Sequence, residues 1–487
     1  CVPPAHYPPN PTGGAKMFPP VGGGLPPTAG MHHPLRTGAA NVCTAPIRGE
    51  FYMMKKPFWG GIHPKGNKSL SRGGDLPELQ PQQVVLPMIQ HIGAACTPLV
   101  QVGDVVKRGQ KIGDGSGVCA PIHASVSGRV LAVEPRPHPS GRDVLSVVIE
   151  NDYLDTHDET MMRYLDHKDL EPNTILQIIH DAGIVGMGGA TFPTDVKAFS
   201  AIGKVDCVLL NACECEPYIT ADDTLICRFP QQVRGGALVL QWALNPERTV
   251  IAIEDNKPEA IAVLKETIQP EDNIEIIVLP TRYPQGAEKQ LIQAVTGRLV
   301  PAGSLPAAVG CAVFNVATAA AVQRAVYDGM PITRRVVTVT GDGVLSPRNF
   351  LVPIGTSFGD TIHAAGGLLD GVQKVISGGP MMGFAQKNLD APVLKGTNAI
   401  LCLKHGNETP ANPTCIRCAR CVSVCPMHLQ PLYLYRYTKL GRVPQMDKFH
   451  LMDCIECGCC SYICPGQLPL VQTIREGKKL WKEANAK

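Results

Sequence analysis

The sequence lacks a strong charge of either sign and a long apolar run. Its formal net charge is +3 over 487 residues, too small for the strong field that attracts nucleic acids or membrane surfaces. The longest apolar stretch, residues 305–321, is interrupted by Asn315 and Thr318. It falls short of the roughly eighteen apolar residues that a membrane-crossing helix needs. We therefore predict no nucleic-acid partner and no transmembrane helix, so that any membrane role would be peripheral.

The N-terminal stretch also lacks the basic-then-apolar order of a secretory signal peptide. Residues 1–52 are dense in proline and glycine and show no periodic apolar pattern, which predicts disorder. The composition changes at Met53 and Met54, and two interpretations stay open. Either the natural chain starts there and residues 1–53 are a non-native or leader extension, or the stretch is a flexible native tail.

Two copies of one cysteine pattern, C-x2-C-x2-C-x3-C-P, stand near the C-terminus. The first run is Cys415, Cys418, Cys421 and Cys425, and the second run is Cys454, Cys457, Cys460 and Cys464. Two-cluster bacterial ferredoxins use this spacing, because short turns bring three thiolates of one loop to neighbouring irons while the fourth serves the other cluster. A single run would also suit zinc. Two runs in phase predict two [4Fe-4S] clusters and electron transfer.

The pattern predicts crossed ligation of the two clusters. One cluster would be bound by the first three cysteines of the first run together with Cys464. The other cluster would be bound by the first three cysteines of the second run together with Cys425. Cys459, inside the second run, is expected not to be a ligand. Eleven of the nineteen cysteines stand outside the pattern, in apolar or unevenly spaced settings that suit a reducing compartment.

Short β-rich runs separated by glycine turns fill residues 84–150. The phrases VGDVVKRGQKIG and APIHASVSGRVLAV resemble a barrel-sandwich hybrid of the biotinyl/lipoyl type. The modifiable lysine of that fold is missing, and Ala124–Ser127 stand in its place. We therefore expect a structural or docking barrel without a carried cofactor, in which His63, His91 and His123 are packing or turn residues and not metal ligands.

Apolar β-runs alternate with amphipathic helical patterns over residues 170–330. This alternation predicts a βαβ sheet with a nucleotide-type site at the carboxyl ends of its strands. A glycine-rich segment, Gly186–Thr194, precedes the first such strand. Closely spaced glycines let backbone amides approach a phosphate or a flavin. Alone, this segment would favour a plain turn.

Three further segments follow in order: NACECEP (211–217), YPQGAE (283–288) and FNVAT (314–318). With GMGGATFPT (186–194), they resemble the flavin- and NADH-binding subunit of respiratory complex I, whose patterns read GxGGxGFPT, NADExEP, YxxGEE and NNVET. The resemblance continues over 333–385 into a β-grasp module of the soluble-ligand-binding type.

The resemblance implies a set of FMN and NADH contacts. These are Gly186, Gly188, Gly189, Phe192, Lys197, Asn211, Glu214, Glu216, Tyr283, Gly286, Glu288, Asn315 and Thr318. The glycines would hold the flavin, with the lysine and the first asparagine near its ring or phosphate. Asn315 and Thr318 would close the phosphate end. Glu214 and Glu216 would face the flavin–nicotinamide contact, and Phe192 would offer a stacking surface. Tyr283, Gly286 and Glu288, in the segment 283–288, would complete the wall of the flavin site.

Four departures from the complex I pattern concern mainly the dinucleotide. Ala287, Phe314 and Cys213 replace a glutamate, an asparagine and an acidic residue. Residues 297–303, GRLVPAG, offer no aromatic side chain for the adenine. The sequence therefore predicts FMN binding more firmly than the details of NADH binding.

The expected fold class is multidomain α/β plus β. In chain order, the expected parts are the extension (1–53), a barrel-sandwich hybrid (54–160), a complex-I-like α/β FMN/NADH domain (165–330), a β-grasp module (331–400), an α+β double-cluster ferredoxin domain (401–470) and a basic helical tail (471–487). This order, with GGIHP, LPMIQHIGA and SGGPMMG, resembles the RnfC component of Rnf electron-transport complexes over roughly residues 55–475.

This resemblance implies a component of an NADH:ferredoxin oxidoreductase that passes electrons through FMN and two [4Fe-4S] clusters. Other membrane and iron–sulfur subunits would couple the transfer to ion transport and reach ferredoxin or flavodoxin. The implied location is peripheral, at the cytoplasmic face of the bacterial inner membrane.

Other interpretations stay open. A soluble flavin/iron–sulfur cobalamin (corrinoid) reductase uses related modules but carries the barrel after the iron–sulfur region. A scaffold with a decayed flavin site would keep only a cluster relay, against which the intact GMGGATFPT and NACECEP segments argue. The basic C-terminal helix with Trp481 is either a surface for a membrane or partner or a solvated terminal helix.

Overall fold

The computed structural model describes residues 58–406, 410 and 413–486, which contain four β-sheets and the helices that join them. The expectation for residues 1–53 lies outside the described residues. Among the described helices, none combines the length and the apolar character needed to cross a bilayer.

Five short strands and two longer ones build the barrel-sandwich. They are β1 (Gln83–Pro87), β2 (Thr97–Pro98), β3 (Val105–Val106), β4 (Lys111–Asp114), β5 (Ile122–His123), β6 (Gly128–Pro137) and β7 (Asp143–Asn151). They pair antiparallel in two sheets, ordered β1-β7-β6-β3 and β2-β4-β5. Because side chains alternate between the faces of a strand, Val84 and Leu86 of β1 enter a core that they share with Ile112 and Ile149.

The turn at Ala124–Ser127, where a lipoyl-type barrel carries its lysine, is buried. Ser125 donates a hydrogen bond to the carbonyl of Ile354 in the β-grasp module. This turn therefore packs two parts of the chain together and presents no side chain to solvent.

A four-stranded parallel sheet forms the centre of the α/β domain. Its strands are β8 (Cys207–Ala212), β9 (Arg248–Glu254), β10 (Ile274–Leu279) and β11 (Cys311–Asn315), in the order β10-β9-β8-β11. Its helices are α1 (Pro172–Asp181), α2 (Thr194–Ala201), α3 (Ala221–Arg228), α4 (Pro230–Leu244), α5 (Pro258–Thr267), α6 (Glu288–Thr296) and α7 (Val316–Tyr327). Asn211 and Asn315 are register partners at the carboxyl ends of β8 and β11, so both amides stand at the edge where such sheets bind ligands.

The β-grasp module is a five-stranded sheet ordered β13-β12-β16-β14-β15. Its elements are β12 (Arg334–Thr340), β13 (Arg348–Pro353), α8 (Phe358–Ala364), β14 (Lys374–Ser377), β15 (Phe384–Gln386) and β16 (Ala399–Leu403). Phe350 and Phe358 fill the core between the sheet and α8.

Four short helices and one long helix lie in the part of the chain that carries the two cysteine runs. They are α9 (Arg420–Ser423), α10 (Pro431–Lys439), α11 (Val443–Lys448), α12 (Cys459–Tyr462) and α13 (Leu470–Asn485). The last helix begins at Leu470 and belongs to the cluster-bearing fold, because Ile474 is fully buried there with Leu434 and Met446. Arg475 and Lys478 on its basic side contact Glu456 between the cysteines at 2.8 and 2.7 Å. The apolar face of this helix is therefore packed against its own domain.

Helices α4 and α7 approach closely at Gly236, and this contact positions the start of α7 against the sheet. A Cβ at Gly236 would lie 1.8 Å from the carbonyl oxygen of Ala319, whereas one at Gly235 would meet only the flexible side chain of Gln323. We predict that Gly236→Ala lowers the free energy of unfolding by about 1–3 kcal/mol through overpacking.

The matched control is Gly235→Ala, in which the gain in helix propensity of up to about 1 kcal/mol offsets a small side-chain shift. Thermal unfolding followed by circular dichroism measures both variants. Equal midpoints for the two would contradict the predicted helix–helix contact.

Candidate functional site

The eight cysteines of the two runs line two separate cavities. The outer cavity is lined by Cys415, Cys418, Cys421 and Cys464. The inner cavity is lined by Cys425, Cys454, Cys457 and Cys460. Each cavity thus joins three cysteines of one run with the fourth of the other, which is the grouping predicted for crossed ligation. Four thiols facing an otherwise apolar space are a donor set that fits a [4Fe-4S] cluster.

The two cavities differ in their access to solvent. Cys415 and Cys418 of the outer cavity are exposed, whereas Cys425, Cys457 and Cys460 of the inner cavity are buried. Cys459 also lines the inner cavity, and its hydrogen bond with Cys457 together with burial raises the pKa of its thiol. The outer cavity therefore lies at the surface, and the inner cavity lies inside the protein.

The inner cavity adjoins the α/β domain through Tyr283. Its hydroxyl donates a hydrogen bond of 2.7 Å to the carbonyl of Cys457. Tyr283, Cys457, Cys459 and Ile62 form one buried apolar cluster, against which Cys215 packs. The wall segment, residues 283–288, thus lies directly against the loop that carries the second cysteine run.

The glycine-rich segment forms a tight loop in front of α2. The amide of Gly186 donates to the carbonyl of Phe192 at 2.8 Å, and the amide of Thr191 donates back to Gly186 at 3.1 Å. Gly188 packs against Asn315, where a Cβ would lie 3.4 Å from the Cβ of that asparagine. Gly189 has φ +112° and open space within 4 Å of the place a Cβ would take. A planar or anionic group can therefore approach this backbone, as FMN binding requires.

Asn211, Asn315 and Thr318 hold the loops around this space. The oxygen of Asn315 caps α7 by accepting from the amide of Ala317 at 2.8 Å. The hydroxyl of buried Thr318 accepts from the amide of Met187 at 2.9 Å. The glycine-rich segment is thereby fixed at the N-terminus of α7, where the helix dipole favours an anion such as phosphate.

Asn211, at the carboxyl end of β8, connects this strand to the wall segment. Its amide nitrogen donates to the carbonyl of Gly286 at 2.8 Å, and its oxygen accepts from the amide of Cys213 at 2.9 Å. A Cβ at Gly286 would lie 2.2 Å from the carbonyl oxygen of Cys213. Glycine is therefore needed here for the close approach of two backbones.

Lys197 supplies a half-exposed positive charge at this edge. Its ammonium lies 2.5 Å from a carboxylate oxygen of Glu288 and 5.7 Å from the ring centre of Phe314. The phenylalanine that replaces an asparagine of the complex I pattern thus contacts the lysine through its ring face. Phe192 is half-buried, and its carbonyl closes the glycine loop.

The two glutamates expected at the nicotinamide face hydrogen-bond to backbone amides. Glu216 accepts from the amides of Met381 and Met382 at 2.7 and 3.0 Å, which joins the loop after β8 to the β-grasp module. Glu214 accepts from the amide of Asp222 at 2.8 Å, and its second oxygen has no hydrogen-bond partner. Burial raises the pKa of Glu214 to about 7, with Lys68 opposing the shift.

Four protein-family models match the chain in the order of its folded parts. They are the RnfC barrel sandwich hybrid domain (56–153), the Nuo51 FMN-binding domain (179–324), the SLBB domain (336–385) and the 4Fe-4S dicluster domain (411–465).

Curated relatives match nearly the whole described chain. One from Acetobacterium woodii, named as the C subunit of the Na(+)-translocating ferredoxin:NAD(+) oxidoreductase complex, is 47% identical over 87% of this chain and 96% of its own length. One from Clostridium ljungdahlii, named as the C subunit of the corresponding proton-translocating complex, is 45% identical over 78% and 84%. The chain belongs to the RnfC family. A Pasteurella multocida relative, the C subunit of an ion-translocating oxidoreductase complex, is 41% identical over 87% of this chain and 52% of its own length.

Membership of the RnfC family confirms the expected fold class. The FMN-binding and dicluster models likewise confirm FMN and [4Fe-4S] clusters as the expected cofactors. The barrel precedes the flavin domain, so the cobalamin reductase alternative is not favoured. The limits of the parts and the individual FMN, NADH and cluster contacts stay predictions.

Buried charges beside the flavin site of this RnfC chain were not anticipated from the sequence. Lys68 donates to the carbonyls of Glu216 and Ile219 at 3.0 and 2.5 Å. Arg335 is fully buried and donates to Met187 in the glycine-rich segment at 3.3 Å. Because these contacts join residues about 150 positions apart, no local pattern marks them.

The bond between Thr318 and Met187 gives a direct prediction. Thr318→Val removes the acceptor of a buried backbone amide, which costs about 1–3 kcal/mol. We expect a lower thermal midpoint and weaker FMN binding, measured by titrating cofactor-stripped protein with FMN and following its fluorescence.

The control for this change is Thr249→Val in β9, because the hydroxyl of Thr249 is buried without a hydrogen-bond partner. We expect this variant to keep the stability and the FMN affinity of the unaltered protein. Loss of FMN affinity in both variants alike would show that the Thr318 hydrogen bond does not position the flavin loop.

Proposed function

We propose that this chain is the electron-input component of an Rnf-type complex, passing electrons between NADH and ferredoxin through FMN and two [4Fe-4S] clusters. Bound FMN supplies the exchange between two-electron hydride chemistry and one-electron steps. The observation that carries the proposal is the contact between Tyr283 of the wall segment and Cys457 of the inner cavity. A nucleotide-type site and a cluster site are thereby neighbours within one fold.

The chain's own residues would bind and position the cofactor. The glycine-rich amides and the N-terminus of α7 suit the phosphate, and Lys197 adds a positive charge at the same edge. Asn211 and Thr318 act through the loops that they hold. Glu214 and Glu216 would stabilise the loop after β8, because Glu214 accepts from the amide of Asp222 and Glu216 accepts from the amide of Met381 in the β-grasp module.

The geometry favours one order of transfer, in which the inner cluster exchanges electrons with the flavin and the outer cluster with a partner. The inner cavity touches the wall segment through Tyr283, and exposed Cys415 and Cys418 bring the outer cavity to the surface. Another iron–sulfur or membrane protein of the complex would dock there and reach ferredoxin or flavodoxin in turn. We place the chain peripherally on the membrane-bound complex, at the cytoplasmic face of the bacterial inner membrane.

Cysteine replacements test the ligand sets and the order together. Cys457→Ala should leave about four irons per chain where the unaltered protein holds about eight, and should break transfer between the flavin and the remaining cluster. Cys418→Ala should also lose about four irons but keep transfer between the flavin and the inner cluster. Iron analysis and EPR spectra of the reduced protein measure both effects.

The matched control is Cys459→Ala, which lies between the same ligands and should keep about eight irons. Iron loss in this variant equal to that of Cys457→Ala would reject the assigned ligand set. Undisturbed flavin-to-cluster transfer in Cys457→Ala would reject the order.

A further inference from the structure

Three metal-binding side chains meet inside the barrel-sandwich domain, apart from both cysteine runs. They are His91, Cys96 and Cys119, and their ligand atoms all lie within 4.8 Å of one another. The two sulfur atoms are 3.3 Å apart, and the sulfur of Cys119 lies 3.8 Å from Nε2 of His91. All three residues are buried.

These separations are close to those of a loaded zinc site. With Zn–S about 2.3 Å and Zn–N about 2.0 Å, neighbouring ligands of a tetrahedral ion lie roughly 3.5–3.8 Å apart. The sulfur–sulfur separation of 3.3 Å is about 0.5 Å shorter than the roughly 3.8 Å between two zinc-bound thiolates. The separation of 3.8 Å between the Cys119 sulfur and Nε2 of His91 is about 0.3 Å longer than the roughly 3.5 Å between a zinc-bound thiolate and imidazole. A disulfide would require the two sulfur atoms to approach to about 2.05 Å. Zinc binding therefore requires a smaller movement of the two cysteine side chains than a disulfide does.

We propose that His91, Cys96 and Cys119 bind one zinc ion through Nε2 and two thiolates, with a small molecule such as water in the fourth position. Two thiolates and an imidazole form the borderline-soft donor set that zinc prefers. Binding releases the two thiol protons. It also replaces the hydrogen bond of 3.1 Å that Nε2 accepts from the amide of Ala120. This role departs from the sequence expectation that His91 is a packing or turn residue and not a metal ligand.

A buried cation lies beside the three side chains. The ammonium of Lys395 is fully buried, donates to the carbonyls of Pro121 and Gly183 at 2.6 and 2.7 Å, and interacts electrostatically with both thiols. This cation does not oppose zinc binding, because a zinc ion with two thiolates and one imidazole is neutral overall and therefore does not repel it.

The ion would clamp two loops beside the flavin site. The loop 91–96 is joined to the turn 115–120 by the amide of Ala94, which donates to the carbonyl of Val118 at 2.9 Å. The same loop reaches the glycine-rich segment, because the amide of Ile92 donates to the carbonyl of Thr191 at 3.1 Å. The zinc would thus be structural, holding the barrel against the loop that positions FMN. The assignment stands independently of the electron-transfer function.

The test uses the full chain, purified without oxygen and with its iron–sulfur clusters in place. Elemental analysis should give about one zinc per chain. X-ray absorption at the zinc edge should show two sulfur neighbours at about 2.3 Å and nitrogen or oxygen neighbours at about 2.0 Å. Cys119→Ser should keep less than about a tenth of the zinc, since serine is a poor zinc ligand.

The matched control is Cys402→Ser, which changes an equally buried thiol in β16 and should keep the zinc. The assignment is overturned if the unaltered protein holds no zinc, if the zinc has four sulfur neighbours as it would in the cluster cysteines, or if mass spectrometry finds a Cys96–Cys119 disulfide. These measurements on the unaltered chain decide the question even if Cys119→Ser does not fold.

Discussion

The hydrogen bond from Tyr283 to the carbonyl of Cys457 joins the two halves of this molecule that carry redox chemistry. Electron tunnelling falls steeply with distance, so a flavin site and a cluster are useful to each other only if the fold fixes them side by side. Backbone pairing between Tyr283 and Ile62 at 2.8 and 3.0 Å holds the tyrosine in place. In the proposed function, the wall segment would contact the flavin on one side and the inner cluster on the other.

Buried charged groups reinforce the same junction. Lys68, Glu214, Asp222 and Arg335 are all buried. Such groups cost desolvation energy unless they are paired and hydrogen-bonded. Here Lys68 donates to the carbonyls of Glu216 and Ile219, and Arg335 donates to the carbonyl of Met187, so both cations bind the backbone of another part of the chain. Their chief effect is to fix how the parts dock, because a displaced module would leave a charge buried without a partner.

The chemistry that local spacing encodes could be predicted from the sequence. Cluster ligands are set by turns of a few residues, and the relation of Asn211 to Asn315 follows once β8 and β11 are parallel neighbours. What could not be predicted depends on contacts between distant positions. No local sequence pattern predicts that Glu216 accepts from the amide of Met381. The same is true of the packing of Ile474 in the core of the cluster domain and of the proximity of Cys96 and Cys119 to His91.

We propose one electron path that joins a nicotinamide, the flavin, both clusters and a partner. The most direct measurement is to reduce the purified protein without oxygen, remove the excess reductant, add NAD⁺ and follow NADH absorbance together with the cluster EPR signals. We predict that NADH forms while both cluster signals decay, and that neither change occurs in protein stripped of FMN. Clusters that stay reduced in the FMN-loaded protein, or that deliver electrons to NAD⁺ without FMN, would contradict the account.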